Sequence, residues 1–392
     1  MTAIATLPVQ GARPSIEIDG QRDATLTASL ISLDIHDGAD GLARCELLFG
    51  NWGGAERAGF QHFDRTRIEF GKAFKVKLAN DTLFDGRLSA IKATYPEGGP
   101  PQIGVCLEDR LQDLRMVRRT RCFADLTLAD AIQRIAQDHG LQAQATLSGP
   151  RHQILAQVNQ SDLAFLRDLA RNEDVQLWAE GSLLKAAKRT DRGAGSVTLR
   201  WAGQLREFRV SADLAHQRTA LVASGWDVAA KQVASYQADE SAVSGELAGG
   251  DSGAATLRRA FGVRVDTLAH GLPVDGNEAR ALAQASLRHL ARRFVVGQGV
   301  AETQAGLRVG AKLSLGGLGP LFDGDYTLID LHHRFDQKTG LRTEFKCDRP
   351  ALGGLGAAQS ARGVERGDQR LVAARANGDA AQAAVGVDLR GE

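Results

Sequence analysis

Leu83-Phe84-Asp85-Gly86 recurs verbatim as Leu321-Phe322-Asp323-Gly324, and the flanks of the two copies match as well. Ahead of the first copy Val76 and Leu78 alternate with polar residues into a short turn; ahead of the second, Leu313 and Leu315 do the same. Behind the copies run Arg87-Leu88-Ser89-Ala90-Ile91 and Asp325-Tyr326-Thr327-Leu328-Ile329. Both then continue through a further strand to an Asp-Arg pair, Asp109-Arg110 and Asp348-Arg349, at nearly the same spacing. One such motif is only a good β-turn; two in register, with matching flanks, predict a duplication. The motif suits a hairpin, with Leu-Phe entering, Asp-Gly turning and an alternating strand leaving. Two related antiparallel β-barrels are therefore expected.

The chain around the copies fits that expectation. Ser15-Ile16-Glu17-Ile18 and Phe74-Lys75-Val76-Lys77-Leu78 alternate apolar and polar residues, and Gly and Asn/Asp clusters punctuate the runs. The middle changes period. Leu128, Ala131, Ile132, Ile135 and Ala136 recur at helical spacing behind Thr127, a candidate N-cap with Asp130 three residues on. A second helix is expected from Ser161, with Leu163, Leu166, Leu169 and Ala170 on one stripe, then a hairpin through Val175-Gln176-Leu177-Trp178 and Leu183-Leu184. Strand character returns at Val197-Thr198-Leu199-Arg200-Trp201 and Glu207-Phe208-Arg209-Val210. The Gly/Ser/Ala-rich residues 241–255 read as a long loop, and an Ala-rich helix follows over about 277–293. The expected class is mainly β with an α+β insert. Residues 1–115 form the first barrel, 116–205 a small α/β domain, 206–350 the second barrel, and 351–392 a Gly/Ala-rich flexible tail.

Composition narrows the function. The chain has 392 residues, 48 Lys+Arg against 47 Asp+Glu, 43% hydrophobic and 24% charged residues. That is ordinary globular composition, and a formal net charge of +1 argues against specific nucleic-acid binding. No apolar run approaches the ~18 residues of a membrane span, and no secretory signal is visible, so a soluble protein of a reducing compartment is expected. Cys45, Cys106, Cys122 and Cys347 are scattered without metal-ligand spacing and read as plain thiols.

Candidate chemistry is thin. Gly250-Asp251-Ser252-Gly253 resembles the nucleophile segment of trypsin-like serine proteases, and a serine hydrolase using Ser252 is the alternative reading. That chemistry needs a His to take the serine proton and an Asp to orient it. His36, His62, His139, His152 and His216 lie in no such context, so the segment reads as a flexible loop. His332-His333 would point to opposite faces of a strand and cannot converge on one ion. Gly316-Gly317-Leu318-Gly319 lacks the helix and lysine of a phosphate loop. Arg110, Arg115, Arg118, Arg119 and Arg121 form the one basic cluster, a solvated, subunit-contacting or lumen face, or a contact for an acidic partner or passing DNA. No catalytic residue, cofactor or metal ligand is expected.

Three stretches resemble the phage late-control protein D family of tail hub proteins, whose fold family includes the base of the VgrG spike and the hubs of contractile injection systems. The first runs from Phe84-Asp85-Gly86 through Leu107-Glu108-Asp109-Arg110-Leu111 to Arg121-Cys122-Phe123-Ala124-Asp125-Leu126-Thr127. The second is a signature helix with Ser161, Asp162, Phe165, Leu166 and Leu169, in which Gln160 replaces the usual Glu. The third runs from Phe322-Asp323-Gly324-Asp325-Tyr326 to His333-Arg334-Phe335-Asp336, Gly340 and Thr343. A Gly usual after the signature helix is replaced around Glu173-Asp174. The resemblance implies tail-tube-like barrels and a non-enzymatic homotrimer. It would form a pseudo-sixfold ring that joins a sixfold tube to a threefold spike. Its implied partners are itself, the spike, the tail tube protein and other baseplate proteins. Assembly in the bacterial cytoplasm and a place in a virion tail or injection-particle baseplate follow from it. No spike-like or lysozyme domain is expected after residue 350, which makes the piercing tip a separate polypeptide. A wall-glycan binding module in residues 116–205 is a third, weaker reading.

Overall fold

The computed structural model describes residues 13–39, 41–53 and 58–353. Its largest sheet has thirteen strands. Six come early: β1 (Ser15–Ile18), β2 (Leu30–Gly38), β3 (Arg44–Gly50), β4 (Ala73–Leu78), β5 (Asp81–Thr94) and β6 (Gln102–Glu108). Six come late: β7 (Ser196–Arg200), β8 (Leu205–Ala212), β9 (Val295–Glu302), β10 (Lys312–Gly316), β11 (Gly324–Asp336) and β12 (Gly340–Arg349). The two-residue strand Gln21–Arg22 completes the set against β1.

Hydrogen bonding gives the same strand order twice, β2-β3-β6-β5-β4-β1 and β8-β9-β12-β11-β10-β7. The halves differ at one end, where β1 runs antiparallel to β4 but β7 runs parallel to β10. Two β-bulges recur at matching places. Ile31 and Arg206 are the extra residues in the β2/β3 and β8/β9 pairs, and Ser89 and Ile329 in the β5/β6 and β11/β12 pairs. A bulge disrupts a ladder at one place and is a designed feature, so two coincident ones mark true equivalence.

Followed from strand to strand, the pairings equate Leu88 with Leu328, Leu107 with Cys347, Cys45 with Gly297 and Ile35 with Val210. That register corrects the sequence reading. Phe84 corresponds to Gly324 and Gly86 to Tyr326, so the verbatim motifs are two residues out of step. They do not share a conformation either. In the first copy Asp85 and Gly86 lie inside β5, opposite Lys75 and Phe74, and the turn falls at Ala79 (φ 53°) and Asn80. Leu83 is a bulge residue there. In the second copy Gly324 (φ 125°) opens β11, behind a loop of residues 317–323. Arg349 holds that loop by donating to the carbonyls of Leu321 (2.8 Å) and Asp323 (2.9 Å). A slip of two residues keeps every side chain on its face, so alternation cannot detect it.

The two halves share one sheet. Residues 330–336 of β11 pair antiparallel with residues 32–38 of β2. Each half still wraps its own core, built on Ile16, Leu33, Leu47, Phe74 and Leu107 in the first and on Leu199, Val295, Leu313, Tyr326 and Phe345 in the second. Phe335, from β11, packs into the first of these cores across the joint.

Two α/β units hang from this frame. In the first, α1 (Leu128–Asp138) and α2 (Asp162–Asn172) cover two small sheets. Thr127 and Asp130 form a capping box at the start of α1, worth about 1 kcal/mol. Ser196–Arg200, expected in this insert, instead lies in the large sheet beside β10. The second unit interrupts the expected second barrel. Its strands Ala220–Asp227, Gln232–Asp239 and Val265–Thr267 form a small sheet, and α4 (Gly276–Arg292) packs on the first two, with Leu221, Ala223, Ala238, Ala283 and Leu287 at the core; α3 (Gly253–Phe261) lies in the same segment of the chain. The long loop expected over 241–255 is corrected accordingly: a 3-10 helix over Glu240–Glu246, a short strand at Asp251–Ser252 and the start of α3 occupy it. Of the expected tail, Ala351–Leu352 pairs with Asp251–Ser252, and residues 354–392 lie outside the described residues.

Candidate functional site

Ser252 is the N-cap of α3. Its hydroxyl accepts from the Ala255 amide at 2.9 Å and donates to the Glu240 carboxylate, and the residue is buried. No histidine bonds to it. A hydroxyl committed to a cap, with no base beside it, is not poised as a nucleophile, which removes the motif on which the serine hydrolase reading rested.

The five arginines do not make a basic patch. Arg110 pairs with Asp113 at 2.8 Å and Arg115 with Glu108 at 3.2 Å. Arg119 and Arg121 reach the buried carboxylate of Asp162 at 3.4 and 2.8 Å, and Arg121 also bonds Asp138 at 2.6 Å. Arg118 is exposed. The structure thereby joins two features that the sequence presented separately, the arginine run and the signature helix. Ser161 caps α2 by accepting from Ala164, and Phe165 stacks on Phe123 with centroids 5.6 Å apart. Leu163 and Leu166 are buried, and Leu169 packs against the same core. Asp162 receives hydrogen bonds from His139 and Gln157, each at 2.8 Å. Burial alone would favour its neutral form, but those bonds and the two guanidinium charges outweigh it and hold the carboxyl below its usual range.

A second ionic tie went unseen in the sequence. His152 lies between the two α/β units, with Nδ1 2.6 Å from Glu278 of α4 and Nε2 3.1 Å from Glu173 at the end of α2. Burial opposes the charged ring, but the two glutamates win and lift its pKa to about 9. Its folded value thus exceeds the unfolded value of about 6.5. The stabilisation is complete below about pH 6.5 and is lost as pH rises toward about 9. Raising the pH through that window is expected to cost up to about 3 kcal/mol. The loss should disappear in His152→Gln, read as urea midpoints at a series of pH values.

Asp109, of the first Asp-Arg pair, accepts from the amides of Ala43 (2.8 Å) and Leu111 (2.9 Å). Burial raises its pKa to about 7 in spite of those bonds. It lines a cleft of about 840 Å³ where the two barrels meet the first insert, together with Asp37, Trp178, Arg192 and His333. His333 is buried on Thr343 (2.8 Å), whereas its neighbour His332 turns to Asp34 on the opposite face. Among the described residues no group of three or more His, Cys, Asp or Glu could hold a metal ion, and no helix is long and apolar enough to cross a membrane.

The feature left is the large sheet itself. One face packs on the cores; the other carries charges of both signs across the joint of the halves. His36 meets Asp330 at 3.1 Å, Arg334 meets Asp34 at 3.7 Å and Glu344 at 3.1 Å, and Lys346 meets Asp330 at 3.7 Å.

Residues 11–337 match the family model described as Alg8 N-terminal domain. The chain belongs to that family. No curated protein sequence matches it. Among solved structures, the 43 kDa tail protein of prophage MuSo2 from Shewanella oneidensis aligns with a TM-score of 0.63 at 13% identity, over 87% of this chain and 99% of that one. The tail protein of Neisseria meningitidis MC58 aligns at 0.59 and 12%, over 86% and 96%. The E. coli c3393 protein is described as a type VI secretion component similar in structure to the T4 bacteriophage tail proteins gp27 and gp5. It aligns at 0.57 and 10%, over 85% and 76%. The likeness is one of fold, shared with these tail proteins and this type VI secretion component.

Proposed function

We propose that the chain is a structural hub subunit of a contractile phage tail or a tail-like injection system, with no catalytic step of its own. Three copies form a pseudo-sixfold ring between a sixfold tube and a threefold spike. The observation that carries this reading is the repeated six-strand order with its coincident bulges. Three chains of two equivalent halves supply six similar positions, which can meet a sixfold neighbour on one side and a threefold one on the other. The shared fold with tail proteins supports it. Partners on this reading are a spike, a tube protein and other baseplate proteins, with assembly in the bacterial cytoplasm into the particle.

Native mass spectrometry tests it. The full chain, of 41.8 kDa, is expected at three chain masses, alone or when mixed with its spike. A strict monomer under both conditions overturns the ring.

A further inference from the structure

We propose that the cleft between the two α/β units is a binding site for a small phosphorylated anion, of the size and charge of a diphosphate. The site stands on the geometry of one chain and does not depend on how many copies assemble.

The cleft has a volume of about 430 Å³ and is walled from both units. Residues 148–151 and Lys188, which ends the strand Leu183–Lys188, belong to the first unit. Arg280, Gln284 and Arg288 belong to α4 of the second, and their spacing of four puts them on one face of that helix. His152 already fastens the two walls, reaching Glu173 on one side and Glu278 on the other. A Cβ at Gly149 would lie 2.0 Å from the Glu173 carboxylate, so glycine is what lets the loop sit against that residue.

Four cations line the cleft, Arg151, Lys188, Arg280 and Arg288, against the single carboxylate of Glu173. The whole chain is nearly balanced, with 48 Lys+Arg and 47 Asp+Glu, so the excess is local. Glu173 is spent on His152, at 3.1 Å. Arg151 is satisfied by Asp125, at 2.5 and 3.0 Å. The other three lack a carboxylate of their own. Lys188 and Arg280 make no ion pair among the described residues, and Arg280 lies over the ring of Tyr236 at 5.6 Å. Arg288 donates to the Ala242 carbonyl at 2.9 Å and comes no closer than 3.9 Å to Asp174, which Arg292 already binds. Cations gathered in one cleft without counter-charge repel each other, and an anion between them removes that cost.

The rest of the lining sets the class of anion. Ser148, Asn277 and Gln284 add neutral donors, and no aromatic ring lines the cleft, so no platform for stacking a base is offered. The first amides of α4 are taken by Asp275, at 2.7 and 2.9 Å, so the side chains do the binding and not the helix end. Such a lining fits a compact ligand with several acceptor oxygens and more than one negative charge, which is the chemistry of phosphate groups.

Calorimetric titration of the full chain with inorganic pyrophosphate tests the site. One equivalent per chain is expected to bind, and the urea midpoint should rise with the anion present. Lys188→Gln and Arg280→Gln, which keep the apolar stems, are each expected to weaken binding about tenfold. Arg209→Gln removes the same charge from β8, outside the cleft, and should leave binding unchanged. Far-UV circular dichroism and the urea midpoint without anion establish that each variant folds, and the wild-type titration stands whether or not they do. No binding of pyrophosphate at millimolar concentration overturns the site. So does an equal loss in all three variants, which would mean attraction to net charge alone. A short single-stranded oligonucleotide that binds more tightly than pyrophosphate, and through the same two residues, would assign the cleft to a nucleic-acid strand and overturn the small ligand.

Discussion

Arg292→Ala is expected to lower the stability of the chain by about 4 kcal/mol, seen as a large fall in the urea midpoint. Arg292, on α4, is 2% exposed and carries both ends of an ionic bridge between the α/β units. Its Nε and Nη2 donate to Glu246 at 2.7 Å each, and Nη1 and Nη2 donate to Asp174, the latter at 2.8 Å. Truncation takes the shared guanidinium from both carboxylates and leaves Asp174 only His289 at 3.3 Å and Arg288 at 3.9 Å, so most of the desolvation cost is uncompensated. Burial would push Asp174 toward its neutral form, yet hydrogen bonds from His289 and Arg292 hold it at about 2. Its folded pKa lies below the unfolded one of about 3.9. Its contribution is therefore present above about pH 4 and is lost as pH falls toward about 2.

Asp174 also explains a departure in the sequence. Its φ is 59°, the left-handed conformation in which a helix commonly ends on glycine. An aspartate there accepts the backbone cost and returns a carboxylate to Arg292. Asp174→Gly should accordingly cost about 1 kcal/mol less than Asp174→Ala, because both lose the ion pair but only alanine keeps the strain. Equal losses in the two variants would show that the carboxylate alone matters.

Asp162→Ala is expected to cost about 3 kcal/mol and to do so within the first α/β unit. The carboxylate is 1% exposed and is shared by Arg119, Arg121, His139 and Gln157. Removing it leaves Arg119 and Arg121 to share Asp138, at 3.8 and 2.6 Å, as their remaining carboxylate. Asp162→Asn keeps the volume and one acceptor but not the charge, so about half of the loss is expected to remain. As pH falls from the unfolded carboxylate value of about 3.9 through the lower folded pKa of Asp162, the wild-type chain should converge on the Asn variant, since the carboxyl then takes up a proton. Thermal unfolding of both variants at neutral and acid pH reads this. A variant as stable as the wild type at neutral pH would mean the cluster is a solvated surface feature.

The two ionic clusters show where sequence reading stops. Thr127, Ser161, Leu163 and Leu166 were legible because capping and helical spacing are local. Ser252 was legible as a residue of note, but its cap was not: the surrounding Gly, Ser and Ala look like a loop until Leu257 is seen to be buried. The helix there is set by packing, not by propensity. His152, Asp174, Glu246 and Arg292 gave almost no signal, because each partner lies tens of residues away. The one trace was the missing glycine at position 174.

By itself the sequence determined that the chain is mainly β, that it carries a duplication, and that a capped helical unit lies between the copies. These follow from alternation, helical period and turn residues, all of which act over a few positions. Only the tertiary structure decided the register of the duplication, because a two-residue slip leaves alternation unchanged. It also decided that the two halves share one sheet, and that among the described residues the end of β5 and β8 each keep an edge open. Strand neighbours are chosen by hydrogen bonds between residues far apart in the chain. Which edges remain free is a property of the whole sheet and not of any strand in it.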